Sequence, residues 1–229
     1  MGNRTPIVEN EWYHCFNRGV DRRIVFQDED DYERFLVLLY VSNDQDSNIS
    51  ISDLELRYAT LEKVLKRKRT RGAPLIDIGA YALIPNHIHL IARPLLGAGL
   101  SRFMQKVFTG YTMYFNKKYA RTGALFSGTY KSKHLNTDEY FKHALQYVLF
   151  NPIELFEPNW KRGAGQLQRI ERQLREYKYA SVQDFLEIKR PERCIVHSVK
   201  EEYFERRPSL SNMLKDAQAY YRENSRYLD

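Results

Sequence analysis

The sequence predicts an α+β protein built around one antiparallel sheet. Four short stretches, 12–18, 75–84, 87–93 and 126–135, read as strands, and the second and third are joined by Pro85-Asn86, whose composition signals a turn. Between and after them lie stretches with apolar residues at helical spacing, so the order is strand, helix, strand, strand, helix, strand, helix. That order is the ferredoxin-like, split βαβ layout.

Each element has a local reason. Trp12 to Arg18 alternates as a first strand, and Gly19-Val-Asp21 supplies a turn. The first helix begins at Asp28 or Glu29, with acidic residues where the helix dipole favours them, and carries Tyr32, Phe35, Leu36, Leu38 and Leu39. It fades into the polar stretch Ser42 to Asn48. Leu54, Leu56, Leu61 and Leu65 suggest a short helix inside an insertion of about 45–73, which ends in Lys66-Arg-Lys-Arg-Thr-Arg-Gly72. The hairpin follows. Gly97-Ala-Gly99 then leads into a long helix from about Ser101 to Ala120, with Phe103, Val107, Tyr111, Tyr114 and Phe115 inward and Lys106, Lys117 and Lys118 outward. Phe126 to Leu135 is the expected fourth strand, and Asp138 opens the next helix. Residues 1–153 are expected to form one domain. Residues 154–229 form a helical C-terminal extension, with Leu167, Ile170 and Leu174 on one side of its first helix. It is expected either to pack on the domain or to lie along a nucleic acid.

Composition narrows the function classes. The 229 residues carry 36 Lys and Arg against 29 acidic residues, a net charge of +7, which suits a polyanionic partner without requiring one. Seventeen tyrosines offer faces on which unpaired bases could stack. Cys15 and Cys194 form neither a disulfide framework nor a thiolate metal site. No apolar run is long enough to span a membrane and no hydrophobic signal core opens the chain, so a cytoplasmic location, on the nucleoid when bound to DNA, and no membrane partner are expected.

The chemistry-bearing residues fall in two segments. In Tyr81-Ala-Leu-Ile-Pro-Asn-His-Ile-His-Leu-Ile-Ala-Arg-Pro94, His87 and His89 occupy alternate strand positions, so both imidazoles share a face while Ile88, Leu90 and Ala92 point into the core. Two neutral imidazoles are half a metal site. In Tyr140-Phe-Lys-His-Ala-Leu-Gln-Tyr-Val-Leu-Phe-Asn-Pro152, Tyr147 and Asn151 lie four apart on one helical stripe, with His143 one turn earlier. A phenol beside a histidine-held cation suits phosphoryl transfer on DNA. Bland readings stand beside these: a strand histidine can be a core residue, Tyr147 can be a packed helix residue, and Asn151 before Pro152 can simply end the helix.

The ordered set resembles the HUH single-tyrosine transposases, in particular the REP-associated tyrosine transposases and their insertion-sequence relatives. The residues that carry the resemblance are His-x-His on a strand, Tyr-x-x-x-Asn on a helix, Trp12-Tyr-His-Cys-Phe-Asn-Arg-Gly19, Phe26, Asp28 to Phe35 and Tyr119 to Phe126. The likeness covers about 8–153, with a weaker echo at Tyr177 to Leu186. It implies an enzyme in which His87, His89 and Asn151 hold Mg²⁺ or Mn²⁺. Tyr147 would attack a phosphorus of single-stranded DNA folded into a hairpin, leaving a 5′-phosphotyrosine link and a free 3′ hydroxyl. His143 is a candidate to orient the phenol or act as a base. Relatives work as monomers or as homodimers, and either is open here. An HUH replication-initiator or relaxase-type nickase and a non-catalytic DNA- or RNA-binding regulator are the alternatives.

Basic residues are candidates for gripping the DNA. Lys117, Lys118, Arg121, Lys131 and Lys133 flank the connection between the long helix and the fourth strand, and Arg18 ends the strand expected beside the histidines. Arg67 and Arg69, in the basic run of the insertion, either track a phosphate backbone or are merely solvated.

Overall fold

The computed structural model describes residues 6–46, 59–66, 71–163, 165–204 and 208–223. Its elements are β1 (Tyr13–Arg18), α1 (Glu29–Val41), α2 (Leu61–Leu65), β2 (Ile76–Ile84), β3 (His87–Pro94), α3 (Gly99–Lys118), β4 (Lys131–His134) and α4 (Asp138–Phe150), followed by α5 (Leu167–Glu176), α6 (Val182–Phe185), α7 (Lys200–Tyr203) and α8 (Leu210–Glu223). The four strands form one sheet in the order β2-β3-β1-β4, each neighbour antiparallel. β3 is thus inserted between β1 and β2, which run parallel to one another across it: the split βαβ arrangement, α+β and ferredoxin-like. Among the described residues no helix is long and apolar enough to cross a membrane.

The start of α1 follows its sequence. Asp28 caps it by accepting from the Asp31 amide at 3.1 Å, and Glu29, Asp30 and Asp31 fill the first turn. α4 is capped in the same way by Thr137, whose hydroxyl accepts from the Tyr140 amide at 3.1 Å. The basic run at 67–70, including Arg67 and Arg69, and the leucines of 47–58 lie outside the described residues.

The sheet is covered on both faces. One face, with Tyr13 and Cys15 of β1 and Ile88, Leu90 and Ala92 of β3, packs against Phe35 of α1 and Phe103, Val107, Tyr111 and Phe115 of α3. Ile76 and Ile78 share this face with Tyr81 and Leu83 because the register slips between Ile78 and Ala80, which exchanges odd and even positions along β2. The opposite face carries Ala80, Ala82 and Ile91. It packs against Phe141, Leu145, Val148 and Leu149 of α4 and against Ile170, Leu174, Val182, Leu210, Met213 and Leu214 of the C-terminal extension. The extension therefore lies against the sheet.

Polar contacts fix the extension in place. The Tyr81 amide donates to Ser181 Oγ at 2.8 Å, Ala180 bridges to Ala82, and the buried Arg190–Asp184 ion pair lets Arg190 also donate to Tyr81 Oη at 2.8 Å.

One expectation needs correction. The fourth strand is far shorter than Phe126 to Leu135: Phe126 makes only an isolated bridge to Gly19, and Gly128, at φ 74°, turns the chain before Lys131. Asn151 ends α4 as its C-cap, as the proline after it suggested, without leaving the helical basin. It sits at φ −54°, ψ −37°, and the chain continues into a 3₁₀ turn, Asn151–Leu155, with the proline in its first turn where no amide is needed.

Candidate functional site

The second face of the sheet brings the two sequence segments together. His87 and His89 lie on β3, opposite Arg18 and Phe16 of β1 respectively, and His14 comes two positions before Phe16 on the same face. α4 lies over this face, so Tyr147 meets the histidines of its own chain. Its ring stands edge-on to His89 with centroids 5.2 Å apart and edge-on to His14 at 5.6 Å. His87 and His89 are themselves perpendicular, 5.0 Å between centroids.

Asn151 is placed by the continuation of the helix into the 3₁₀ turn. It is buried, and its Oδ1 lies 3.1 Å from His87 Nε2. On the other side of the same ring, His87 Nδ1 lies 2.6 Å from Asn86 Oδ1. A neutral imidazole has a single N–H and cannot donate to both oxygens, so one oxygen faces a lone pair. A cation between ring and amide relieves that opposition, as does a turned amide.

Electrostatics keeps the imidazoles neutral. Burial pushes His87 and His89 below the ordinary histidine value, and the positive charges of Arg18 and Lys161 push the same way. His14 is lowered to about 4, by burial and then by Lys133. Its Nε2 hydrogen-bonds His89 Nδ1 at 2.9 Å, which leaves Nε2 as the nitrogen with which His89 can ligate. Among the described residues no cluster of three His, Cys, Asp or Glu side chains could hold a metal. The candidate donors are two imidazoles whose ring centres are 5.0 Å apart and an amide oxygen 3.1 Å from one of them. They fit a loosely held octahedral Mg²⁺ or Mn²⁺ that keeps waters for exchange, and they do not fit a closed zinc site.

The Tyr147 phenol is held above its ordinary value by burial and then by the Glu154 carboxylate, while Arg18 and a hydrogen bond to Asn151 act against them. The nucleophile candidate therefore rests protonated at neutral pH. His143 does not share the Tyr147 environment: its ring stacks on Tyr220 at 4.0 Å, and its Nε2 is 3.8 Å from Glu139.

The basic candidates divide by layer. Lys131 and Lys133 are exposed on β4, opposite Phe16 and His14, and so rim the same face as the histidines; Arg18 is exposed opposite His87. Lys117, Lys118 and Arg121 lie at the end of α3, in the layer on the other face. Lys118 is engaged by Asp28 at 2.6 Å and Asp31 at 2.9 Å, and Arg121 by Asn116 at 2.6 Å and the Ala124 carbonyl at 3.0 Å, while Lys117 is exposed.

Two residues near the centre had no sequence signal of their own. His14 is a single histidine in the first strand, and only the β1–β3 register reveals its partner. Lys161 sits in the 3₁₀ turn Trp160–Arg162 of the extension, with its ammonium 5.4 Å from the Tyr147 ring centre.

No family model matches the chain, and no curated protein does. Among solved structures it is similar to that of a REP-associated tyrosine transposase bound to a REP hairpin, with a TM-score of 0.49 and 10% identity, covering 84% of this chain and 90% of that one.

Proposed function

We propose that this chain is a metal-dependent, transposase-like endonuclease and strand transferase that acts on single-stranded hairpin DNA through Tyr147. The observation that carries the reading is the meeting, within one chain, of a tyrosine with a histidine pair and an asparagine. These are the two segments whose spacing resembles the HUH single-tyrosine transposases. A packed helix tyrosine has no need of two neutral imidazoles and a buried amide beside it.

The residues divide the work. Tyr147 gives its proton to water and attacks the phosphorus; a P–O bond to the tyrosine forms as the P–O bond to the neighbouring 3′ oxygen breaks. The departing oxygen takes up a proton and leaves as a 3′ hydroxyl, and the 5′ phosphate stays on the tyrosine. Because a phosphodiester replaces a phosphodiester, another 3′ hydroxyl can reverse the step and join different ends without ATP. His87, His89 and Asn151 would hold Mg²⁺ or Mn²⁺, which neutralises phosphate oxygens and stabilises the departing one. Asn151 also offers a hydrogen bond to the phenolate, and His14 keeps His89 turned. Arg18, Lys131 and Lys133 would receive the strand along the rim of the same face, where exposed bases can also stack.

The test is cleavage of a single-stranded oligonucleotide carrying an imperfect palindrome, with Mg²⁺ or Mn²⁺ against excess chelator. Cleavage that needs the metal, and that His87→Ala abolishes while sparing most of the binding, is expected. Equal cleavage in chelator would overturn the metal assignment. Binding without cleavage under any of these conditions would favour the non-catalytic regulator.

A further inference from the structure

Resting on that reading, we infer that Lys161, supplied by the C-terminal extension, is a catalytic residue that binds the scissile phosphate together with Arg18. The extension would then be a structural part of the active centre.

The position of Lys161 is built from both directions. Its ammonium lies 5.4 Å from the centre of the Tyr147 ring and 5.1 Å from that of Tyr221 in α8, and it is paired with Glu154, which follows Asn151 in the 3₁₀ turn. The neighbouring Trp160 is fully buried, edge-on to Phe150 of α4 at 6.0 Å and to Tyr221 at 5.6 Å, and its carbonyl accepts from Gln218 of α8 at 2.9 Å. Gly163 ends the turn at φ 82°, and an added Cβ there would come within 2.1 Å of the Arg222 guanidinium. A lysine anchored on both sides in this way is aimed, whereas a solvated surface lysine is not.

Lys161 brings a positive charge beside the Tyr147 ring, where a phosphate attacked by that tyrosine would meet it. Arg18 of β1 stands opposite His87 in the register of the sheet, and Lys161 approaches the Tyr147 ring from the extension, so one cation lies on the histidine side of the centre and the other on the tyrosine side. The Lys161 side chain is only 15% exposed, and a cation covered to that extent is unfavourable without an anion beside it. Glu154 supplies that anion at rest. A phosphodiester entering between tyrosine and histidines competes with Glu154 for Lys161. The ammonium can then follow the negative charge that builds on the non-bridging oxygens as the phosphorus becomes five-coordinate.

Lys161→Ala and Lys161→Arg, with Lys215→Ala as a control on the extension, separate this role from packing. Single-turnover cleavage at saturating hairpin DNA should fall roughly 10- to 100-fold in Lys161→Ala, the scale of losing one preorganised charge contact, and recover in part in Lys161→Arg. Thermal stability should stay near wild type in all three. The decisive arm replaces the scissile phosphate with a methylphosphonate, which lacks the charged oxygen. Wild type and Lys161→Ala should bind that substrate alike, while wild type binds the natural one more tightly. Equal cleavage by Lys161→Ala and wild type, or an equal binding gap on both substrates, overturns the inference. Absence of cleavage and of any covalent product in wild type instead overturns the reading on which it rests.

Discussion

At the scale of single residues, the centre is a division between side chains that meet the substrate and side chains that hold those in place. His14 belongs to the second group: it fixes the His89 tautomer through the 2.9 Å bond between the two rings. His14→Phe should keep hairpin binding and weaken apparent Mn²⁺ affinity about 10- to 100-fold, as loss of an outer-shell partner does elsewhere. Titration of Mn²⁺ by electron paramagnetic resonance would measure it, and an unchanged affinity would remove His14 from the site. Glu154 permits a prediction with a sign. Its carboxylate raises the Tyr147 phenol, so Glu154→Gln should lower that value and bring the alkaline rise of adduct formation to lower pH. A profile shifted upward, or not shifted, would contradict the arrangement. Strand and helix periods made it legible that His87 shares a face with His89 and Tyr147 a stripe with Asn151, while their roles came from the resemblance. His14 and Lys161 were not legible, since one is placed by register across two strands and the other by packing of a segment read only for its apolar period.

At the scale of elements, the site depends on where α4 begins and how it ends. Thr137 satisfies the Tyr140 amide, so Thr137→Ala should cost about 1 kcal/mol, roughly 2–4 °C in Tm, while leaving cleavage by the folded fraction unchanged. A loss of activity with no loss of stability would mean that the cap does more than start the helix. The far end was the harder part to read. Pro152 argues against helical geometry at Asn151 in general, but here the chain tightens into a 3₁₀ turn that keeps Asn151 in the helical basin and delivers its amide to His87. β4 shrank for a related reason: Gly128 turns the chain short of Lys131, and the paired strand that remains places Lys131 and Lys133 on the histidine face. Replacing Arg18, Lys131 and Lys133 with Ala should flatten the salt dependence of binding by about 0.7 log units per lost single-strand contact. The same changes at Lys118 and Arg121, which already have protein partners, should flatten it less. Equal slopes would show that both layers grip the strand.

At the scale of the whole molecule, the sheet has two cores, and the sequence showed one of them more clearly than the other. The α1 and α3 side was legible from helical spacing. The second side was not, because Ala80, Ala82 and Ile91 are covered jointly by α4 and by helices from beyond residue 160. A chain ended at residue 153 would expose that face, with Phe141, Leu145 and Leu149 beside it, and is expected to aggregate rather than behave as an independent domain. In the proposed reaction Tyr147 becomes covalently joined to DNA within this assembly. The most direct measurement incubates the protein with end-labelled hairpin DNA and Mg²⁺, isolates the denaturation-resistant complex and maps the modified peptide by mass spectrometry. The modification should fall on Tyr147, vanish in Tyr147→Phe and in chelator, and carry the 5′ phosphate. A complex mapped to another tyrosine, or one that persists in Tyr147→Phe, would rule Tyr147 out as the nucleophile.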